Sequence, residues 1–290
     1  MLQDRIEKVI EFATGPNCAD ELNDAKAEYG ETIGSIFDDD ESFDSRMASF
    51  LEWYVFDRIL KNNQKTPLSV YIDYHLNDWP EETKNHFLAF KENIHSLFIV
   101  KKPMKGSVLA INLFDQKKYT IEESQSEFIF RKNDIFEGRA IPLPEGNLFT
   151  GTYCFHPQEV TKFIKNKIEA VIKERKLLED LIKKTTTELE KLDSKIVKLS
   201  IKSERLSNKI ASTNSESKKE SLEKDRKKTD SERLDLECYR PPLRDELDDI
   251  RTKRLGIKIP LTQKKLMLQL SFMNLRWERS RQIDIKNIYK

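Results

Sequence analysis

The chain has 290 residues, of which 35% are charged and only eight are glycine, with a formal net charge of +1. That length can bury an ample core, and so high a charge density with so little glycine points toward long solvated helices. Three cysteines without close spacing (Cys18, Cys154 and Cys238) indicate neither a disulfide framework nor a thiolate zinc site, and no apolar run reaches the eighteen or so residues of a membrane span.

The N-terminal residues mix charges into their apolar positions and lack the apolar core of a signal peptide, so a soluble, cytoplasmic protein is expected. The net charge hides a polarity. Residues 1–62 carry 6 basic and 15 acidic side chains, whereas residues 240–290 carry 13 basic and 6 acidic ones. Such asymmetry favours head-to-tail contact or an anionic partner for the tail.

Leu2, Ile6, Val9, Ile10 and Phe12 share one face of a short helix stopped by Gly15-Pro16, and a second helical stretch spans 19–29. Asp38-Asp39-Asp40-Glu41 lacks the alternating ligands, central glycine and distal glutamate of a calcium loop, and reads as a solvated turn with Ser42 or Asp44 capping the next helix. That helix, 46–60, carries Phe50, Trp53, Tyr54 and Phe56 around most of its circumference, which predicts burial rather than a base-stacking platform. Asp57-Arg58 at its end reads equally as a buried or a surface ion pair. Thr66-Pro67 predicts a helix start, and 81–93 a further helix.

From Ser96 the period changes to two, predicting strands over 96–101, 107–114, 117–122, 127–131, 134–141 and 148–155. Lys105-Gly106, Asp115-Gln116, Lys132-Asn133 and Pro144-Glu145-Gly146 supply turns. Six short strands with tight connections predict a small antiparallel β-barrel or curled sheet, covered on one face by the aromatic helix.

The segments Phe50-Leu-Glu-Trp-Tyr-Val-Phe-Asp-Arg58, Thr66-Pro67, Ser96-Leu-Phe and Asn133-Asp-Ile-Phe-Glu-Gly-Arg-Ala-Ile-Pro142 resemble a recurrent bacterial module of SEC-C-motif-associated proteins. There the pattern F-x-(D/E)-W-F-x-F-D precedes a short β-module containing G-D-x-x-x-x-R-x-x-P. The resemblance covers roughly residues 43–155 and implies one α+β unit, with no reaction attached. The cysteine-rich zinc motif is missing from this chain, so no metal role carries over.

Over 164–210 a four-three spacing picks out Ile164, Ile168, Val171, Arg175, Leu178, Ile182, Thr185, Leu189, Leu192, Ile196, Leu199, Ser203, Leu206 and Ile210, eleven of them aliphatic. This is a coiled-coil seam on a helix of roughly 70 Å. A parallel homodimer would oppose Glu174 with Glu179 and Glu188 with Asp193, both like-charged. A fold-back at the polar tip 212–217 instead offers a returning arm with Leu222, Arg226, Thr229, Arg233, Leu236, Arg240, Leu243, Leu247 and Ile250. That hairpin would set Leu222 near Leu206, Leu236 near Leu192 and Ile250 near Leu178, with an antiparallel dimer as its rival. Pro241-Pro242 should restart or kink the arm, Gly256 should end it, and a last helix should span 263–282.

The expected fold is therefore α+β: a helical N-terminal part packed on a small barrel (head, 1–156), a coiled-coil hairpin (157–255) and a C-terminal helical segment (256–290). His75, His86, His95 and His156 are scattered without metal-ligand spacing, and neither a phosphate-cradling loop nor a nucleophile elbow occurs, so no catalytic, cofactor or metal residue is assigned. The expected role is a non-enzymatic scaffold or adaptor for a protein partner, without membrane attachment. The alternative is a nucleic-acid- or ribosome-associated factor in which Arg276, Trp277, Arg279 and Arg281 grip phosphates beside a stacking ring.

Overall fold

Period-3.6 patterning fills the first ninety residues with five helices in a computed structural model that describes residues 2–104, 106–122, 129–143 and 146–290. They are α1 (Leu2–Thr14), α2 (Ala19–Ile33), α3 (Phe43–Phe56), α4 (Pro67–His75) and α5 (Glu81–Lys91). The α2 helix runs past Tyr29 and through Gly30, and ends only at Gly34, whose φ of 101° is left-handed. A Cβ at Gly34 would also lie 3.1 Å from Leu275 Cδ2, so both backbone and packing demand glycine there. Thr66 Oγ1 accepts from the Ser69 amide at 3.2 Å and caps α4 as its sequence predicts. Ser42 occupies the N-cap of α3 without capping it; its hydroxyl donates to Glu278 instead, at 2.9 Å. The all-round apolar surface of α3 is explained by packing against α1, α2 and α4. Phe50, Trp53 and Tyr54 sit in one buried cluster with Tyr29, Ile72 and Phe90, and Trp53 is 7% exposed.

Six strands follow: β1 (Ile94–Met104), β2 (Ser107–Asn112), β3 (Lys118–Glu122), β4 (Ile135–Leu143), β5 (Gly146–Phe149) and β6 (Cys154–His156). In the order β1-β2-β3-β5-β4 the first five close on themselves through β4–β1 pairing, and β6 adds to β4. The barrel is small, as expected, but not wholly antiparallel, since β3 and β5 run parallel at Ile121–Asn147 and Glu122–Leu148. The single strand expected over 148–155 is broken into β5 and β6 around Gly151, whose φ is 98°. Of the strand expected over 127–131, Glu127 and Phe128 lie outside the described residues, as do Lys105 and the Pro144-Glu145 turn. Residues 129–131 are not strand, and Phe130 turns its ring into the barrel, 5.0 Å from Phe136.

Strand alternation then divides β4 between two cores. Phe136 and Ala140 enter the barrel interior with Phe98, Val100 and Phe149, whereas Ile141 joins the helical cluster. The aromatic helix therefore builds its own core and meets the sheet chiefly through β4.

The long helix α6 (Thr161–Ala211) is followed by a four-residue turn and α7 (Glu216–Asp249), a π-helical stretch (Ile250–Lys258), α8 (Ile259–Arg279) and a short α9 (Ile285–Ile288). Pro241-Pro242 does not restart α7. Gly256 does not end it either; it lies inside the π-helical turn, where a Cβ would stand 3.0 Å from the Arg251 carbonyl oxygen. Two compact units result, one of Met1–Glu169 with Gln263–Lys290 (the head), the other Ala170–Thr262 (the hairpin).

Within the hairpin the two arms pair antiparallel around Leu189, Leu243 and Leu247, with Ile182 beside them. Ser203 Oγ meets Asp230 at 2.6 Å, Arg240 pairs with Asp193 at 2.6 Å, and Lys195 with Glu232 at 2.8 Å. Arg226 faces Ser207, so the arms are slid by about one turn from the leucine-to-leucine register. Charge explains the slide. The leucine register would set Arg226 level with Lys202 and Arg233 level with Lys195. In a background free of native cysteines, the pair Ser203→Cys and Asp230→Cys should oxidise to a crosslink within one chain, in a yield independent of protein concentration. Cysteines at Leu206 and Leu222 should crosslink less. Preferential crosslinking of that second pair on a denaturing gel would show the register to be wrong.

Candidate functional site

A cluster of charged side chains lies between the helical layer and the barrel, assembled from elements far apart in sequence. The α3 helix supplies Arg46, Glu52 and, at its C-cap, Asp57. Glu137 and Arg139 alternate on β4 with the barrel-facing Phe136 and Ala140, which turns both charges outward toward α3. His95 on β1 is the cross-strand partner of Arg139. Cys154 comes from β6, and Ser271, Asn274 and Glu278 from α8.

Arg139 is 1% exposed and anchors the cluster. Its guanidinium donates to Asp57 and to the Asn93 side chain, lies 3.6 Å from Glu52 through Nε, and sits 4.6 Å from the Phe56 ring. His95 Nε2 is 2.8 Å from Glu137 Oε1, and Ser271 Oγ donates to Glu137 Oε2 at 2.6 Å. Arg46 pairs with Glu278 at 2.9 Å, and Asn274 Nδ2 donates to Glu278 at 3.2 Å and to Cys154 Sγ at 3.3 Å. At the centre lies a cavity of about 30 Å³ lined by Glu52, His95, Glu137, Arg139 and Cys154. That is room for one water molecule.

Electrostatics separate the three carboxyls. Burial raises the Glu52 carboxyl and outweighs Arg139 and the hydroxyls of Thr150 and Thr152. Burial also pushes on Asp57, but Arg139, His95 and Lys264 overcome it and hold that carboxyl below its ordinary range. Glu137 is likewise lowered against its burial, by the hydrogen bonds from His95 and Ser271. Burial lifts the Cys154 thiol to about 11, leaving it protonated and a poor nucleophile near neutrality. Ser271 and His95 both bond to Glu137, so the imidazole is aimed at the carboxylate and not at the serine hydroxyl.

The four residues of the basic tail are not gathered into one grip. Arg279 donates to Asp40 and to the Ser35 carbonyl (2.7 Å) and lies over Phe37, and this pairing holds the Asp40 carboxyl below its ordinary value. The acidic turn at 38–41 thus has an internal counter-ion. Arg281 stacks 3.7 Å from the Trp277 ring, and Arg276 is exposed. The adjacent charges Asp57 and Arg58 form no pair with one another; Arg58 turns away to Glu21 and Glu28, at 2.7 and 3.0 Å. Of the histidines, His75 stacks on Trp79, and His156 Nδ1 meets the Tyr289 hydroxyl at 3.3 Å. Among the described residues no group of three His, Cys, Asp or Glu side chains could hold a metal ion.

The sequence reading passed over Glu52, His95, Glu137 and Arg139. The available signal was a lone charge inside an otherwise apolar stretch, as Glu52 is in the aromatic helix and Arg139 in β4.

Replacing Arg139 by Met should cost about 3–5 kcal/mol at neutral pH, because it strands Asp57 without its partner. A denaturant midpoint equal to wild type would show the pair to be dispensable. The second expectation concerns pH. Burial lowers His156 to about 4, with Glu137 opposing. A histidine held neutral stabilises the fold fully above its unfolded pKa of about 6.5, and that contribution of up to about 3 kcal/mol is lost as pH falls from there through the folded value. His156→Phe should therefore flatten the stability profile between about pH 6.5 and 4, and a profile as steep as wild type would contradict it.

No curated protein and no solved structure matches the chain. The model of a family described as a family of unknown function, DUF7986, matches residues 19–187, more than half of the chain and a span that contains Glu52, Asp57, His95, Glu137, Arg139 and Cys154. The chain belongs to that family.

Proposed function

We propose that the protein is a non-enzymatic cytoplasmic adaptor that engages a protein partner through its coiled-coil hairpin and head. The observation that carries this reading is apolar surface on the hairpin beyond what its own pairing uses. Val197 and Ile201, one turn apart on α6, are 56% and 44% exposed, and Leu234 on α7 is 52% exposed. Val197 follows the seam residue Ile196 as Leu234 follows Arg233, which in an antiparallel pair sets all three on one side. Exposed aliphatics so grouped suit a partner interface.

The test is capture of partners from native lysate by the full-length chain, with and without nuclease and across a salt series. Capture should survive both treatments and fall at least tenfold in the variant Val197→Glu with Leu234→Glu. Capture abolished by nuclease and weakened steeply by salt would instead favour the nucleic-acid reading through Arg276, Trp277 and Arg281. Capture unchanged in the double variant would remove the hairpin from the interface.

A further inference from the structure

A second cleft of the head plays no part in the charge cluster. It has a volume of about 660 Å³ and lies between the C-terminal half of α2, the loop after it and the start of α3. Its floor is Tyr29, Phe43, Met47 and Phe50. Tyr29 and Phe50 are fixed by burial and by an edge-to-face contact at 5.4 Å, so the floor is preformed. Lys26, Glu31 and Asp38, all exposed, stand at its rim.

One wall is made by Gly30 and Gly34, and the two glycines differ in what they do for the fold. Gly34 is required by its positive φ and by Leu275. Gly30 is not. It lies inside α2 with ordinary helical backbone, and a Cβ there would meet only Ser35, at 3.7 Å or beyond, which is ordinary van der Waals contact. Alanine is the better helix former at such a position, so glycine weakens α2 without a packing return. What its missing side chain does provide is backbone that a flat object in the cleft can approach closely.

We infer that this cleft is a binding site for a small aromatic ligand of one or two fused rings bearing a polar substituent. Three facts define that class. The volume falls within the range of small-molecule pockets. Three aromatic rings and a thioether on the floor favour a ring over a flexible chain, through edge and sulfur contacts. The charged side chains are confined to the rim, where a polar substituent meets them and water.

Two probes test this: indole by calorimetry, and 8-anilinonaphthalene-1-sulfonate by fluorescence, each with the full-length chain. Both should bind saturably, at one site per chain, and should compete with one another. Gly30→Leu should weaken both by tenfold or more by filling the cleft. Met47→Gln, on the partly exposed floor, should weaken both severalfold and guards against a leucine variant that fails to fold. Gly30→Ala should raise the melting temperature while reducing affinity. The inference is overturned by the absence of saturable binding, by wild-type affinity in folded Gly30→Leu or Met47→Gln, or by a lower melting temperature in Gly30→Ala, which would return that glycine to a folding role.

Discussion

The head depends on a buried guanidinium. Taking the charge of Arg139 out of water costs several kcal/mol, and only well-placed counter-charges offset it. Asp57 and Glu52, more than one turn apart on α3, bracket it from the helical side, while Asn93 closes it from the chain entering β1. The pairing fixes both the height and the rotation of α3 against β4. A hydrophobic contact alone would tolerate sliding, because apolar attraction has no direction. Around this point His95–Glu137–Ser271 and Arg46–Glu278 extend the same fixing to β1 and α8. The helical layer, barrel and α8 end of the head are thereby held in one arrangement, each by a charge whose partner lies on another element.

Much of this architecture was legible in the chain because it rests on local period. The 3.6-residue pattern located the helices, Thr66 marked a true cap, and the change to period two marked the barrel. What period could not carry was lost. Leu148 and Phe149 of the expected strand 148–155 went into β5, whose parallel pairing with β3 through Asn147 and Leu148 is a choice made by barrel closure and not by the sequence of that strand. Gly256 looked like a helix end because glycine is common there, whereas its role is to fit a wide turn against the Arg251 carbonyl. The charge cluster draws on residues from 46 to 278, and nothing local announces that Glu52 and Arg139 will meet. Glu52 and Asp57 lie in the aromatic stretch Phe50–Arg58 and Arg139 in Asn133–Pro142, 82 residues apart at the least, so only the fold brings them together.

The hairpin shows a different balance. A register that levels Leu206 with Leu222 would set Arg226 and Arg233 on α7 level with Lys202 and Lys195 on α6. The observed register, slid by about one turn from that alignment, brings Leu189 against Leu243 and Leu247 and adds Arg240–Asp193 and Lys258–Glu174. Each exposed pair is worth only tenths of a kcal/mol. Charge helps to set the register because the seam is thin: Arg226, Thr229 and Arg233 occupy its middle, and the apolar cluster around Leu189 and Leu243 fits the same alignment.

The division into two compact units has a spectroscopic consequence. Trp53, Trp79 and Trp277 are the three tryptophans of the chain, and all lie in the head, whereas the hairpin has none. Indole emission therefore reports on the head alone, while far-ultraviolet ellipticity draws on the helices of both units. Each unit has its own core, so ellipticity sums two openings of which emission follows only the head's. Emission and ellipticity curves that part company during unfolding are the signature of that independence, with each unit opening as its own cooperative body.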